Sequence, residues 1–104
     1  MALSCIWVEG MEVEFADDKL DRLETDANYT AKLSPALVKA FRKRMQQIRA
    51  APDERTFYTI GGLRFEKYEK GQHSMRLNDQ FRLIVEILDK GRKALRVVAI
   101  TDYH

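Results

Sequence analysis

One cysteine, two histidines and no long apolar run are the first limits that the 104 residues impose. A single thiol, Cys5, makes no internal disulfide, and no Cys/His spacing matches a zinc site. Neither a disulfide framework nor a structural metal is therefore expected, and a reducing compartment, the cytoplasm, is the simplest setting. No stretch offers the roughly 20 apolar residues of a membrane span, so no membrane partner is expected. The first ten residues hold an apolar cluster, Ile6, Trp7 and Val8, but lack the basic and long apolar regions of a signal peptide. A strong charge of one sign is missing too, since 18 Lys and Arg stand against 16 Asp and Glu, a net charge of +2. That balance excludes a protein that coats nucleic acid by charge alone, so any RNA affinity has to come from where the charges sit. Internal repeats and low-complexity segments are absent.

What is present suffices for one domain over residues 1–104, because 45% hydrophobic residues can fill a single modest core. Met11 opens a cleaner pattern than Met1, so residues 1–10 read as an N-terminal extension or an irregular arm. Met11 to Phe15 alternates apolar residues with Glu12 and Glu14, the period of a half-buried strand. Asp17 and Asp18 suit a helix N-terminus, and Leu20, Leu23 and Ala27 predict a short helix that frays near Asn28. Ser34 followed by Pro35 caps a second helix, whose apolar stripe is Leu37, Val38, Phe41, Met45 and Ile48, ending at Pro52. Its other face carries Lys39, Arg42, Lys43 and Arg49, a set able to touch RNA but, as basic helix faces usually are, read first as a solvated surface with no catalytic role.

After a loop rich in charge and glycine, strands are predicted over Leu63 to Tyr68, His73 to Leu77, Phe81 to Leu88 and Leu95 to Thr101. Asn78 and Asp79 read as a tight turn, and Asp89 to Lys93 as a second one. Strand, two helices and an antiparallel meander together predict an α+β fold, with both helices on one face of a mainly antiparallel, twisted sheet and the other face open.

The chemistry-bearing residues crowd around one hairpin and one strand end. Alternation puts Ser74, Arg76 and Asn78 on one face of the first hairpin strand, and Arg82, Ile84 and Glu86 on the less apolar face of the second. Arg76 and Arg82 thus share a face. Two guanidiniums close together on a sheet make a fork for a phosphate, while the plainer reading pairs each with a surface carboxylate. The run Thr101-Asp102-Tyr103-His104 follows an apolar strand and sets proton-handling groups at its end. An imidazole can take up and release a proton near neutrality, and Asp102 can tune it; the plainer reading is a frayed end. Metal-independent RNA cleavage needs a base for the 2′-hydroxyl, cations for the phosphorane and an acid for the departing 5′-oxygen. Glu66 or His104 can serve as base, Arg76, Arg82 and Lys67 as clamp, and His104 or Tyr103 as acid. His73 joins Lys67, Arg76 and Asp102 among the residues placed to touch RNA. No cofactor is called for.

From Met11 onward the chain resembles the HigB branch of the RelE/ParE toxin superfamily. Three stretches carry the likeness: Asp21-Arg22-Leu23-Glu24-Thr25 with Val38 to Met45; Leu63-Arg64-Phe65-Glu66-Lys67 with Gly71-Gln72-His73-Ser74-Met75-Arg76-Leu77-Asn78-Asp79-Gln80-Phe81-Arg82-Leu83; and Asp102-Tyr103-His104. The resemblance implies the RelE-like fold, a toxin of a type II toxin-antitoxin system, and ribosome-dependent cleavage of mRNA in the A site. It further implies a HigA-type helix-turn-helix antitoxin as partner, with DNA reached only through that antitoxin. By position, Arg82 matches the Arg of the family's aromatic-Arg-Leu motif, and Tyr103 and His104 match its terminal pair.

The sequence departs from that family in three places. Phe81 stands where Trp is common, and Glu66 stands where some members have His; a carboxylate is a weak base. Tyr68-Glu69-Lys70 runs straight into Gly71, which shortens a loop that elsewhere contributes a further basic residue. Two other readings share the fold: a ParE-like toxin that inhibits DNA gyrase without hydrolysis, and an antitoxin-binding protein whose active site has lapsed.

Overall fold

Apolar residues at positions 37, 38, 41, 45 and 48 recur with the helical period, and in the computed structural model all five are buried on one side of a 16-residue helix, α2 (Pro35–Ala50). The structure describes residues 11–52, 54–89 and 93–102; the proposed N-terminal extension lies outside them. The Ser34 hydroxyl accepts from the Leu37 N–H at 3.2 Å, satisfying one of the N–H groups that a helix start leaves open. The shorter α1 (Asp18–Thr25) is capped by the Asp17 carboxylate and carries Asp18 and Asp21 in its first turn, where negative charge meets the positive end of the helix dipole. It ends at Thr25, before Asn28, because the Asp26 N–H closes on the Arg22 carbonyl and the Asp26 side chain then accepts from the Asn28 N–H.

Five strands form one sheet: β1 (Glu12–Phe15), β2 (Glu66–Lys67), β3 (Gln72–Arg76), β4 (Phe81–Asp89) and β5 (Lys93–Asp102). Their order is β1-β5-β4-β3-β2, with β1 parallel to β5 and the other neighbours antiparallel. Leu23, Phe41, Met45 and Ile48 from the helices meet Met75, Leu83, Val85, Leu95 and Val97 from the sheet in one core. This is the α+β arrangement that the alternating and helical periods predict, with the described helices on one sheet face; the other, the open face below, carries none of them, although Ile84 and Ser74 are buried on it.

Two local departures matter for the site. The predicted strand Leu63 to Tyr68 shrinks to Glu66–Lys67, since Gly62 (φ 84°) and Arg64 (φ 53°) both adopt left-handed conformations that no strand contains. Those turns drive Leu63 and Phe65 into the core, and a 3₁₀ helix (Glu54–Thr59) precedes them where a loop was expected. In β5 the register steps from Ile84↔Ala99 to Val85↔Val97, which leaves Val98 as a bulge. The bulge reverses the alternation, so Leu95 and Val97 face the helices before it and Ile100 packs on the same core after it. Thr101 is thereby delivered to the open face.

Candidate active site

Strand register assembles the open face in rows. Glu66, Ser74, Ile84 and Ala99 form one; Gln72, Glu86, Arg96 and Glu14 form the next; Arg76, Arg82 and Thr101 form the third. In the second row Arg96 donates to Glu86 at 3.1 Å and to Glu14 at 3.4 Å, and Gln72 reaches Glu86 at 3.5 Å. The carboxylates of that row are thus bound to a cation of their own.

The third row sets Arg76 directly opposite Arg82. The Arg76 N–H points away from β4, to the Leu63 carbonyl at 2.7 Å, while the next pair is bonded, Leu77 N–H to Phe81 carbonyl at 3.0 Å. Arg76 and Arg82 are therefore a non-hydrogen-bonded pair, the kind whose Cα atoms come closest, about 4.5 Å, and whose side chains crowd most. Like charges at such a position repel, and the site relieves this by drawing the two guanidiniums apart. Arg76 turns to the β3–β4 turn, where it binds the Asp79 carboxylate and the Asn78 carbonyl. Arg82 leans over the ring of Tyr68, its guanidinium carbon 4.5 Å from the ring centre. Asn78 holds that turn, its side-chain oxygen accepting from Gln80 and Phe81 N–H groups at 2.9 and 2.8 Å.

Of the residues singled out from sequence, Glu66, Arg76 and Arg82 come together on the open face around Ser74, which is only 6% exposed. Lys67 and His73 do not join them. They pair with each other across β2 and β3 on the helix-side face, where the His73 ring stacks on Phe65 at 4.7 Å and an interplanar angle of 6°. Burial first, and then the Lys67 ammonium, hold the His73 imidazole below its ordinary value, with Glu54 opposing weakly. Its Nδ1 is buried and has no hydrogen-bond partner among the described residues. The β2–β3 turn, with Lys67, Lys70 and His73, lines an open cleft of about 450 Å³ at this edge. Asp102 is exposed and pairs with Phe81 at the end of β5. Tyr103 and His104 lie outside the described residues.

The cationic face of α2 is mostly spoken for. Arg42 ties down the segment after α1 through four backbone carbonyls, and Arg49 makes a bidentate pair with Glu24 at 2.6 and 2.7 Å. Lys39 and Lys43 are exposed and border a groove of about 600 Å³ floored by Pro35 and Val38, which holds no acid-base pair. Sequence reasoning passed over Tyr68, although its phase was readable: it is two residues from Glu66 and so falls on the side of the sheet where both arginines lie. Among the described residues no three His, Cys, Asp or Glu side chains converge as metal ligands do, and no helix is long and apolar enough to cross a membrane.

Comparison with known proteins places the fold. The solved structure of a YoeB/ParE toxin from Agrobacterium tumefaciens is similar over 90% of this chain and 100% of its own, with a TM-score of 0.54 and 16% sequence identity. The five-stranded sheet with its helices on one face is thus a fold of the RelE/ParE toxin type, and at that identity the likeness concerns the fold alone. No protein-family model and no curated protein matches the sequence.

Proposed function

We propose that the protein is the toxin of a toxin-antitoxin pair, of the HigB type, and that it cleaves mRNA on the ribosome. The observation that carries the proposal is the Arg76–Arg82 pair on the open face of a RelE/ParE-type sheet, one row from Glu66. A phosphodiester approaching this face meets two permanent cations whose in-plane N–H groups match phosphate oxygens. Charge grows on those oxygens as the 2′-hydroxyl attacks, so the clamp binds the phosphorane more tightly than the ground state. Glu66 is the base candidate of this face. Thr101 sits across from Arg82, and the sequence places Tyr103 two residues further on; Tyr103 and His104 are the proposed acids for the 5′-oxygen. Lys67 and His73, on the far side of the β2 edge, are in reach only of RNA that wraps round it. A helix-turn-helix antitoxin of the HigA type is the proposed partner, and ribosome and mRNA the proposed target.

Primer extension on a defined mRNA in a purified translation system tests this. Wild type is expected to cut only with ribosomes present, and Arg82→Ala to lose about 10²–10³-fold in rate, the usual loss on removing one donor to a developing oxyanion. Intact mRNA with inhibited gyrase supercoiling would establish the ParE-like reading instead, and intact mRNA with active gyrase a lapsed site.

A further inference from the structure

We infer that Tyr58 is a stacking platform for a base of the bound mRNA, placed where a strand that leaves the Arg76–Arg82 face turns round the β2 edge of the sheet. The inference takes its ligand from the nuclease reading above and adds a contact outside the residues that carry the resemblance. Among the described residues Tyr58 is the one large apolar side chain left exposed, at 62%. Its backbone is nonetheless fixed. Phe57, the residue before it in the 3₁₀ helix, is fully buried, and the Thr59 hydroxyl after it donates to the Thr56 carbonyl at 2.7 Å. The ring itself rests on Phe65, with centres 5.0 Å apart and planes at 80°, and Phe65 is in turn stacked on His73 and tilted against Phe57 at 5.2 Å. A ring anchored in this way gives up little freedom when a base covers it.

The surroundings are those a polyanion needs. Lys67, two residues past Phe65, pairs with His73 across β2 and β3, and Lys70 follows in the turn. Arg64, Lys67 and Lys70 are exposed, and among the described residues none of them pairs with a carboxylate. Of the neighbouring acids, Glu54 is tied to Lys93 at 3.4 Å and Glu66 stands on the other face, so among the described residues of this edge Glu69 alone is left to oppose them. A base offers a π face to Tyr58 and the flanking phosphates offer charge to the lysines, which is how a single strand is held without regard to its sequence. A protein partner would ask for more: a stable interface buries about 800 Å² on each side around an apolar centre, and this edge offers one ring among cations. β2 has only two residues and is the outermost strand, with Glu66 and Lys67 on opposite sides of it. RNA held on the open face thus reaches Lys67 and then Tyr58 by turning round one short strand.

Single-turnover cleavage of ribosome-bound mRNA by wild type, Tyr58→Ala and Tyr58→Phe tests the platform, with each variant's melting temperature as the check on folding. Tyr58→Ala is expected to raise the half-saturating toxin concentration about tenfold and to leave the saturating rate within about twofold, because the ring holds RNA away from the reacting phosphate. Tyr58→Phe keeps the stacking face and is expected to stay within about twofold of wild type in both. Photocrosslinking reads the contact with neither cleavage nor a variant: mRNA carrying iodouridine at successive positions is expected to join Tyr58 of the wild-type protein. Unchanged half-saturation in Tyr58→Ala overturns the inference, as does a Tyr58→Phe variant as weak as Tyr58→Ala, which would assign the effect to the hydroxyl. So does a Tyr58→Ala variant that handles mRNA normally and binds a helix-turn-helix antitoxin poorly, since the ring would then serve a protein partner. If wild type leaves mRNA intact the nuclease reading fails, and the crosslink alone decides the platform: its presence on Tyr58 supports it and its absence overturns it.

Discussion

Replacing Arg42 by Ala should destabilise this protein as much as opening a hole in its core. The Arg42 Nε donates to the Leu23 carbonyl at 3.0 Å, and one terminal nitrogen donates to the carbonyls of Asp26 (3.0 Å), Tyr29 (3.2 Å) and Ala27 (3.5 Å). These are orphan carbonyls at the end of α1 and in the segment that leads to α2, where Ala31 and Lys32 both take left-handed conformations. A hydrogen bond to a charged donor nets about 1.5–3 kcal/mol. The two nitrogens share four acceptors, so they count as two bonds rather than four, and water can recover part of the exposed share. The expected loss is about 3 kcal/mol, from a total that for a domain of this size is about 5–15 kcal/mol. Urea unfolding followed by far-UV circular dichroism reads it as a lower midpoint at unchanged slope, and a melt as a fall of roughly 12–15 °C. Arg42→Lys, a point charge in place of a fork, should recover only a small part, leaving a deficit of about 2 kcal/mol. Lys43→Ala, next door and exposed, should cost less than about 0.5 kcal/mol. An Arg42→Ala variant within about 0.5 kcal/mol of wild type would refute the reasoning, for the guanidinium would then be ornamental.

Four further outcomes are expected. Phe41→Ala should cost about 3–5 kcal/mol in the same urea assay, because Phe41 is fully buried between helix and sheet. Arg49→Ala should cost under about 1 kcal/mol and less in high salt, since its pair with Glu24 is solvated. His73 gives stability a pH dependence: the fold holds its imidazole below the ordinary 6.5, so the unfolded chain binds the extra proton as pH falls past that value. Its contribution is full above pH 6.5 and is lost on acidification toward the lowered folded value, and wild type minus His73→Gln, compared at pH 7.5 and about 5.5, should show it. His104→Ala should relieve growth arrest at matched expression without lowering the melting temperature; equal toxicity would remove His104 from the mechanism.

Much of the fold was legible because its periods are clean. The stripe at positions 37, 38, 41, 45 and 48 reads as a helix face and is buried residue for residue, and the Ser34-Pro35 start is a local signal that needs no tertiary help. Alternation through residues 72–89 likewise assigned Arg76 and Arg82 to the face opposite Met75, Leu83 and Val85, where the register confirms them. The predicted strand from Leu63 failed for a physical reason: Gly62 and Arg64 turn the chain through left-handed conformations as Leu63 and Phe65 enter the core, and arginine gives no local sign of that conformation.

The sequence by itself determined which residues are apolar at which spacing, and hence which face each helix and strand turns inward. What only the tertiary structure decided is how separate elements meet. Arg42 looked like a solvated cation, but the distance from its helix to the carbonyls of another segment is not written in any local pattern. Lys67 and His73 are neighbours of Glu66 and Ser74 in sequence and lie on the opposite face from them, because adjacent strand residues point to opposite sides. Tyr68 and Arg82 stand 14 positions apart, and whether a ring and a guanidinium meet over Ser74 depends on strand order, register and the length of one turn. Spacing along a chain sets the phase of side chains, while contacts across strands are set by the pairing that folding selects.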